Sequence, residues 1–323
     1  MVHQIWQDFP EIERDLYKVK QIMKKQVTVK APDIHDRIYE YIDAPGKYIR
    51  SGLLLMFTRL SGQAVNQNKL KMAASIELFH LATLLHDDVI DGADQRRGIQ
   101  TLQESHSNRM AIYAGDYLLA YAMRLAGQAR PEGQVFVNDM TIELILAGEI
   151  QQLGNVKDSQ MTMRKYLRQI KGKTALLFGL ATIGGYYKEG MSRSVQKKAY
   201  RSGLYIGMMF QLVDDLLDLF QSSDQIGKPG LQDIQNGIYT APVIYAMENQ
   251  PGFRQWLANQ SHWKDEDLDN LINKIEASGG RPYVQSLIKR YDTKLSELLQ
   301  ALDQGDYQLK ISQLMDTILR RTY

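Results

Sequence analysis

The residues with the clearest chemistry are two aspartate clusters, Asp87-Asp88-Val89-Ile90-Asp91 and Asp214-Asp215-Leu216-Leu217-Asp218, each setting three carboxylates in an otherwise apolar stretch. On a helix, positions i and i+4 share a face, so Asp87 stacks under Asp91 and Asp214 under Asp218. Like charges at that spacing repel, and burial worsens the repulsion by raising carboxylate pKa values. A hard divalent cation relieves it. Mg²⁺ prefers oxygen ligands, keeps several waters, and usually takes one or two carboxylates together with phosphate oxygens of a substrate. The pattern therefore points to a metal-bound phosphate held by both clusters. The competing reading is a solvated acidic helix face. Recurrence argues against it: Glu77-Leu78-Phe79-His80-Leu81 precedes the first cluster and Met209-Phe210-Gln211-Leu212-Val213 the second, a weak pseudo-repeat of two inward-facing helices.

Phosphate charge left over by the metal needs fixed cations, and the planar fork of Arg grips phosphate oxygens in pairs. Arg96-Arg97-Gly98 follows the first cluster after a short loop, and Lys228 follows the second in Gly227-Lys228-Pro229. Lys47 and Arg50, in Gly46-Lys47-Tyr48-Ile49-Arg50, and Lys173, in Gly172-Lys173-Thr174, are further candidates. The last tripeptide is not the end of a nucleotide-binding loop, because Leu167 stands where that motif needs a glycine. No Gly-x-Ser-x-Gly elbow and no His-Glu-x-x-His helix occurs. His86, beside the first cluster, reads as a structural residue.

The elements that must position these groups read as helices. Apolar residues recur at three- and four-residue intervals over Leu70–Ile90, Met110–Gln128, Asp139–Leu153, Met163–Tyr187 and Ser194–Phe220. Strand-like alternation is scarce. Prolines and glycines place loops at Ala44-Pro45-Gly46, Gly92-Ala93-Asp94, Arg130-Pro131-Glu132-Gly133, Gly227-Lys228-Pro229-Gly230 and Gly279-Gly280-Arg281-Pro282. No linker or composition shift divides the 323 residues, so one all-α domain is expected over 1–323. With 44% apolar residues, 24% charged residues and a net charge of +2, the chain reads as a soluble globular protein without a nucleic-acid footprint. The absence of cysteine removes thiolate catalysis and thiolate metal sites. The start, Met1-Val2-His3-Gln4-Ile5-Trp6, lacks the basic and apolar regions of a signal peptide, and no apolar run approaches the length of a membrane span. A cytoplasmic location is expected, with peripheral contact at a membrane left open.

Taken in order, Gly46-Lys47-x-x-Arg50, Asp87-Asp88-x-x-Asp91, Arg96-Arg97-Gly98, Gly115-Asp116-Tyr117-Leu118, Lys173-Thr174, Phe210-Gln211-x-x-Asp214-Asp215-x-x-Asp218 and Gly227-Lys228 resemble the trans-isoprenyl diphosphate synthases. The resemblance runs from about residue 40 to the carboxyl terminus. It implies an all-helical isoprenoid-synthase bundle with a central cavity, usually dimeric, that joins an allylic diphosphate such as farnesyl diphosphate to isopentenyl diphosphate with three Mg²⁺ ions. By position, Asp87 and Asp91 would ligate two ions and Asp214 the third, with Asp88, Asp215 and Asp218 as shared or outer ligands. Arg96, Lys173 with Thr174, Gln211 and Lys228 fall where the family holds the allylic diphosphate. Lys47, Arg50, His80 and Arg97 fall where it holds isopentenyl diphosphate. The chain departs from the family pattern at Ile238, where a lysine is usual, at Ser51, where proline is common, and at Gln100 and Gln103. The missing lysine implies weaker activity, dependence on a small regulatory partner, or a subgroup such as the catalytic subunits of two-component heptaprenyl synthases.

The residues one helical turn before Asp87 would project beneath the metal site, where a growing tail must go. They are Ala82 and Thr83. Short-chain members of the family place bulky aromatics there, so small residues imply a medium- or long-chain product, hexaprenyl or larger. The alternatives are a short-chain synthase with a floor lower down, a class I terpene cyclase and a non-catalytic regulatory subunit. Two intact clusters and a second set of cations argue against the last two.

Overall fold

The computed structural model describes residues 3–44, 46–129, 139–220, 231–260, 263–302 and 305–320. Apart from a two-stranded ribbon, the regular elements among them are helical. The chain divides into two compact units, one of residues 1–136, 180–199 and 302–311, the other of 137–179, 200–301 and 312–323.

In the first unit, α1 (Pro10–Gln26) and α2 (Pro32–Asp43) each begin on a proline, whose fixed φ and missing N–H suit a first helical turn. Helix α3 (Ile49–Leu60) is buried on nearly every side, from Leu53 through Phe57. Helix α4 (Gln67–Asp91) starts at Asn66, whose side chain accepts from the Lys69 N–H at 2.9 Å. It stops where Gly92 turns left-handed at φ 62°. Next come the ribbon strands β1 (Gln95–Arg96) and β2 (Ile99–Gln100), a short helix α5 (Leu102–Ser105) and α6 (Asn108–Ala129). Helices α4 and α6 run antiparallel along one another: the Ser75 hydroxyl donates to the Ala122 carbonyl at 2.7 Å, while His86 lies against Gly115 near the other end.

The second unit takes α7 (Asp139–Gly154), α8 (Met163–Ile170) and a π-helical turn (Lys171–Ala175). Helix α9 (Leu176–Tyr186) and α10 (Arg193–Phe220) contribute residues to both units. Then follow α11 (Gln232–Gln235), α12 (Ala241–Asn249), α13 (Phe253–Ala258), α14 (Asp265–Ser278), α15 (Gly280–Leu302) and α16 (Asp306–Leu319).

The long helices fall within a few residues of the expected spans. One local expectation differs. Gly279-Gly280-Arg281-Pro282 is not a loop: Gly279 alone breaks the chain at φ 80°, and α15 starts at Gly280 with Pro282 in its first turn, where a missing N–H costs nothing. The loop at Gly92–Asp94 is present as expected, and the ribbon follows directly after it. The expected loop at Gly227–Gly230 lies outside the described residues, as do Pro45 and Arg130–Gly133.

Candidate active site

Both aspartate clusters sit near the carboxyl end of a long helix, Asp87–Asp91 in the last turns of α4 and Asp214–Asp218 near the end of α10. That is the negative pole of the helix dipole, and neither helix has a basic residue in its last turn. Carboxylates there add to the field of the unsatisfied carbonyls, so each cluster is a place that attracts cations.

Within a cluster the carboxylates divide by depth. Asp88 is fully buried and Asp215 is 1% exposed, whereas Asp87, Asp214 and Asp218 are half-buried and Asp91 is exposed. Both oxygens of Asp88 are engaged, Oδ2 by the Tyr41 hydroxyl at 3.0 Å and Oδ1 by Arg96 Nε. Burial raises the Asp88 pKa, opposed by the Arg96 charge. Asp215 Oδ2 accepts from the Tyr166 hydroxyl and from the Ala241 N–H at 3.2 Å, and its Oδ1 from Gln211 Nε2 at 3.3 Å. Burial pushes its pKa up to about 7, against the lowering effect of the Tyr166 bond. Asp218 Oδ1 accepts from the Gln232 N–H at 3.3 Å, fastening the start of α11.

The basic residues after the first cluster are placed by the ribbon. Gln95 pairs with Gln100 and Arg96 with Ile99, leaving a two-residue loop of Arg97 and Gly98. Both have positive φ, 53° and 79°, as in a type I′ turn, which matches the twist of the strands it joins. The tight turn sends Arg96 back to Asp88. Arg97 lies against Gly46, where a Cβ would come within 2.6 Å of its Nη1. Thus the Gly46–Arg50 motif and the Arg pair, far apart in sequence, meet in the first unit. Trp6 Nε1 donates to the Lys47 carbonyl at 2.6 Å and fixes that segment. Arg50 occupies the first turn of α3.

A small cleft beside these residues is lined by Tyr41, Tyr48, Glu77, His80 and Arg97, with Leu81 among its apolar members. His80 is half-buried, and burial together with Arg50, Arg97 and Arg96 holds its pKa well below the ordinary value, so the imidazole is neutral. Glu77 is buried and its Oε1 accepts from both the backbone N–H of Ser51 at 3.1 Å and its hydroxyl at 2.8 Å. A proline at position 51 could give neither bond, so the departure at Ser51 is tied to this carboxylate. Gln103 donates to the Ala93 carbonyl at 2.9 Å and Gln100 accepts from Arg37 at 3.2 Å, so both stabilise the loop around the ribbon.

In the second unit, Lys173 and Thr174 lie on the π-helical turn, a distortion that concentrates at functional sites. A close approach of backbones accompanies it: a Cβ on Gly148 of α7 would meet the Lys173 nitrogen at 2.7 Å. Lys173 pairs with Glu149 at 3.1 Å, and the Thr174 hydroxyl donates to Gln211 at 2.9 Å, linking the turn through Gln211 to Asp215. Lys228 lies outside the described residues.

Tyr41, Glu149 and Tyr166 carry no sequence signal of their own and join these groups only through the fold, whereas Tyr48 and Glu77 lie within the Gly46–Arg50 motif and the stretch before the first cluster. His86 packs against α6. Its ring fits where Gly115 has no side chain, a Cβ there falling 2.4 Å from Nε2, and it pairs with Asp116 at 3.2 Å. Ala82 is buried, and Thr83 is half-buried with its hydroxyl turned back to the His80 carbonyl at 2.8 Å.

Among the described residues, no three acidic or histidine side chains are already gathered around one cation. The donor set nonetheless fits Mg²⁺, which needs only one or two carboxylates when phosphate oxygens and water complete its shell. Outer aspartates at i and i+4 on the negative end of a helix meet that need.

The polyprenyl synthetase family model matches residues 32–275. Heptaprenyl diphosphate synthase component 2 of Geobacillus stearothermophilus is 32% identical over 310 residues, covering 96% of this chain and 96% of that protein. Among solved structures, heptaprenyl diphosphate synthase from Staphylococcus aureus superposes with a TM-score of 0.89 at 27% identity, covering 97% of this chain and 99% of its own. Geranylgeranyl pyrophosphate synthase from Lactobacillus brevis does so with a TM-score of 0.89 at 30% identity, covering 98% and 99%. A match over most of the chain, on an all-α fold that carries both aspartate clusters, makes this protein a prenyltransferase of the polyprenyl synthetase family.

Proposed function

We propose that the chain elongates an allylic diphosphate, farnesyl diphosphate in the first instance, with isopentenyl diphosphate to a medium- or long-chain all-trans polyprenyl diphosphate. Asp87, Asp91 and Asp214 are the residues that would hold Mg²⁺. When bound, the metal supplies positive charge to the departing diphosphate. By position in the family pattern, Arg96, Lys173, Thr174, Gln211 and Lys228 would bind the allylic diphosphate, and the cations among them would meet the charge that grows as the carbon–oxygen bond breaks. Lys47, Arg50, His80 and Arg97 hold isopentenyl diphosphate. Positioning its double bond for attack on the allylic cation is worth roughly 7–11 kcal/mol. The depressed pKa of His80 keeps it neutral, so it serves as a hydrogen-bonding group rather than a fourth charge beside Lys47, Arg50 and Arg97. No dedicated protein base is assigned for the final proton loss, which the released diphosphate can accept.

The observation that carries this reading is the difference in depth within each cluster, Asp87, Asp91 and Asp214 being more exposed than the buried Asp88 and Asp215, which fits the former to meet a metal-bound phosphate. Chain length is supported by the small Ala82 and Thr83 and by the relatives named above, two of which are heptaprenyl synthases by name. The product is resolved by incubating the purified chain with Mg²⁺, labelled isopentenyl diphosphate and farnesyl diphosphate. Products of hexaprenyl length or longer are expected, shortened by Ala82→Phe. A product ending at geranylgeranyl, or a distribution unmoved by Ala82→Phe, would overturn the length assignment.

A protein partner, either a second copy or a small regulatory subunit, is supported by exposed apolar side chains, Leu146, Ile150 and Leu153 on α7 and Tyr113 and Met123 on α6. Among the described residues no helix is long and apolar enough to cross a membrane. A cytoplasmic protein that meets membranes only peripherally, to release a long apolar product, fits that.

A further inference from the structure

We propose that Tyr41 and Tyr166 are positioning residues for prenyl transfer, each locking the middle aspartate of one cluster so that the polar side chain on its other oxygen is presented to diphosphate. This rests on the prenyl-transfer reading above and extends it to residues that no motif contains.

The two assemblies are built alike, each within its own unit. In the first, the Tyr41 hydroxyl donates to Asp88 Oδ2 at 3.0 Å and accepts from the Leu102 N–H at 3.0 Å. Tyr41 is 4% exposed and comes from α2, 47 residues before Asp88. The remaining oxygen of Asp88 takes Arg96 Nε. A guanidinium has five donors, and a bond through Nε sets the plane in which its two Nη groups lie. Fixing Asp88 therefore aims the fork of Arg96. In the second, the Tyr166 hydroxyl from α8 donates to Asp215 Oδ2, which also takes the Ala241 N–H. Asp215 Oδ1 takes Gln211, whose own carbonyl accepts from Thr174. Here the locked carboxylate sets an amide and, through it, the hydroxyl beside Lys173.

Buried carboxylates with both oxygens occupied are poor candidates for metal ligands, because ligation would leave a tyrosine hydroxyl or an arginine stranded in the interior. The same arrangement appears twice, with its tyrosine supplied by α2 in one unit and by α8 in the other. A simple core hydrogen bond would need no such link to a diphosphate-facing group.

The test uses Tyr41→Phe, Arg96→Lys and the double variant of the whole chain. Binding of inorganic pyrophosphate with Mg²⁺ is followed by calorimetry, alongside thermal melting and the KM for farnesyl diphosphate. Tyr41→Phe is expected to melt cooperatively, bind pyrophosphate about tenfold more weakly and raise that KM by a similar factor. In the double variant the loss should not exceed that of Arg96→Lys alone, since both act through one contact. Wild-type affinity in Tyr41→Phe, or losses that multiply, would overturn the proposal. If Tyr41→Phe does not fold, Asp88→Asn with Arg96→Lys runs the same cycle. Tyr166→Phe with Gln211→Ala is the corresponding pair in the second unit, with the same outcomes. A wild-type chain that binds pyrophosphate without elongating isoprenoids would sink the prenyl-transfer reading. Elongation with an unaffected Tyr41→Phe would sink only the positioning role.

Discussion

Asp87 and Asp88 are neighbours at different depths, Asp88 buried and Asp87 half-buried. Asp88 anchors Tyr41 and Arg96 in the interior, and truncation leaves both without their acceptor. Breaking a buried pair of this kind costs roughly 3–5 kcal/mol. Asp87 stands at the negative end of α4 with Asp91 one turn away, so making it neutral relieves repulsion worth a few tenths of a kcal/mol. Thermal melts in Mg²⁺-free buffer should therefore show Asp88→Ala well below the wild type and Asp87→Asn level with it or slightly above. Equal losses at both positions would mean that the depth difference does not order their roles. The spacing of acids was legible in the sequence, but their division into inner and outer was not. That depends on Tyr41 and Tyr166, which lie 47 and 49 residues away along the chain.

At the scale of elements, helix ends decide what the site looks like. The carboxyl end of α9 is closed by side chains: Lys69 Nζ donates to the carbonyls of Gly184, Gly185 and Tyr187 at 2.9, 2.7 and 2.9 Å, and Gln63 reaches Tyr186 and Tyr187 at 3.2 Å. Replacing Lys69 by Met leaves those carbonyls unmet, at a cost of about 1–3 kcal/mol. Burial pushes the Lys69 pKa down to about 8, from 10.5 in the unfolded chain. Between those values the unfolded chain holds a proton that the folded one has shed, so this residue's contribution to stability rises with pH. Urea melts should show the wild type gaining on Lys69→Met between pH 8 and 10; a gap that narrows would contradict the assignment.

Long helices were legible because their apolar period persists over many turns between widely spaced prolines. The ribbon at Gln95–Gln100 was not, since two residues per strand are too few to show alternation. The π-helical turn was also hidden, because one extra residue inside the apolar run Met163–Tyr187 barely disturbs its period. At Gly280, a second glycine read as part of a loop begins a helix because Gly279 alone supplies the left-handed break.

In the whole molecule three levels act together. Composition and the absence of cysteine leave oxygen ligands and nitrogen cations as the available chemistry. Helices carry the carboxylates to their own negative ends, and the fold adds the residues that hold the inner acid in place. Family membership supplies the reaction class. What composition and periodicity could not supply was the wiring between distant segments, such as Gly46 against Arg97 or Ser51 against Glu77, because such contacts have no local pattern.

The central claim is that the outer aspartates do chemistry rather than hold structure. Its most direct test is the initial rate of isopentenyl diphosphate incorporation, with farnesyl diphosphate and Mg²⁺, by the purified wild type, Asp87→Asn and Asp214→Asn. Each variant is expected to stay folded while kcat/KM falls by at least about 10³-fold, on the order of 4 kcal/mol of transition-state stabilisation. Near-wild-type rates in folded Asp87→Asn or Asp214→Asn would contradict it.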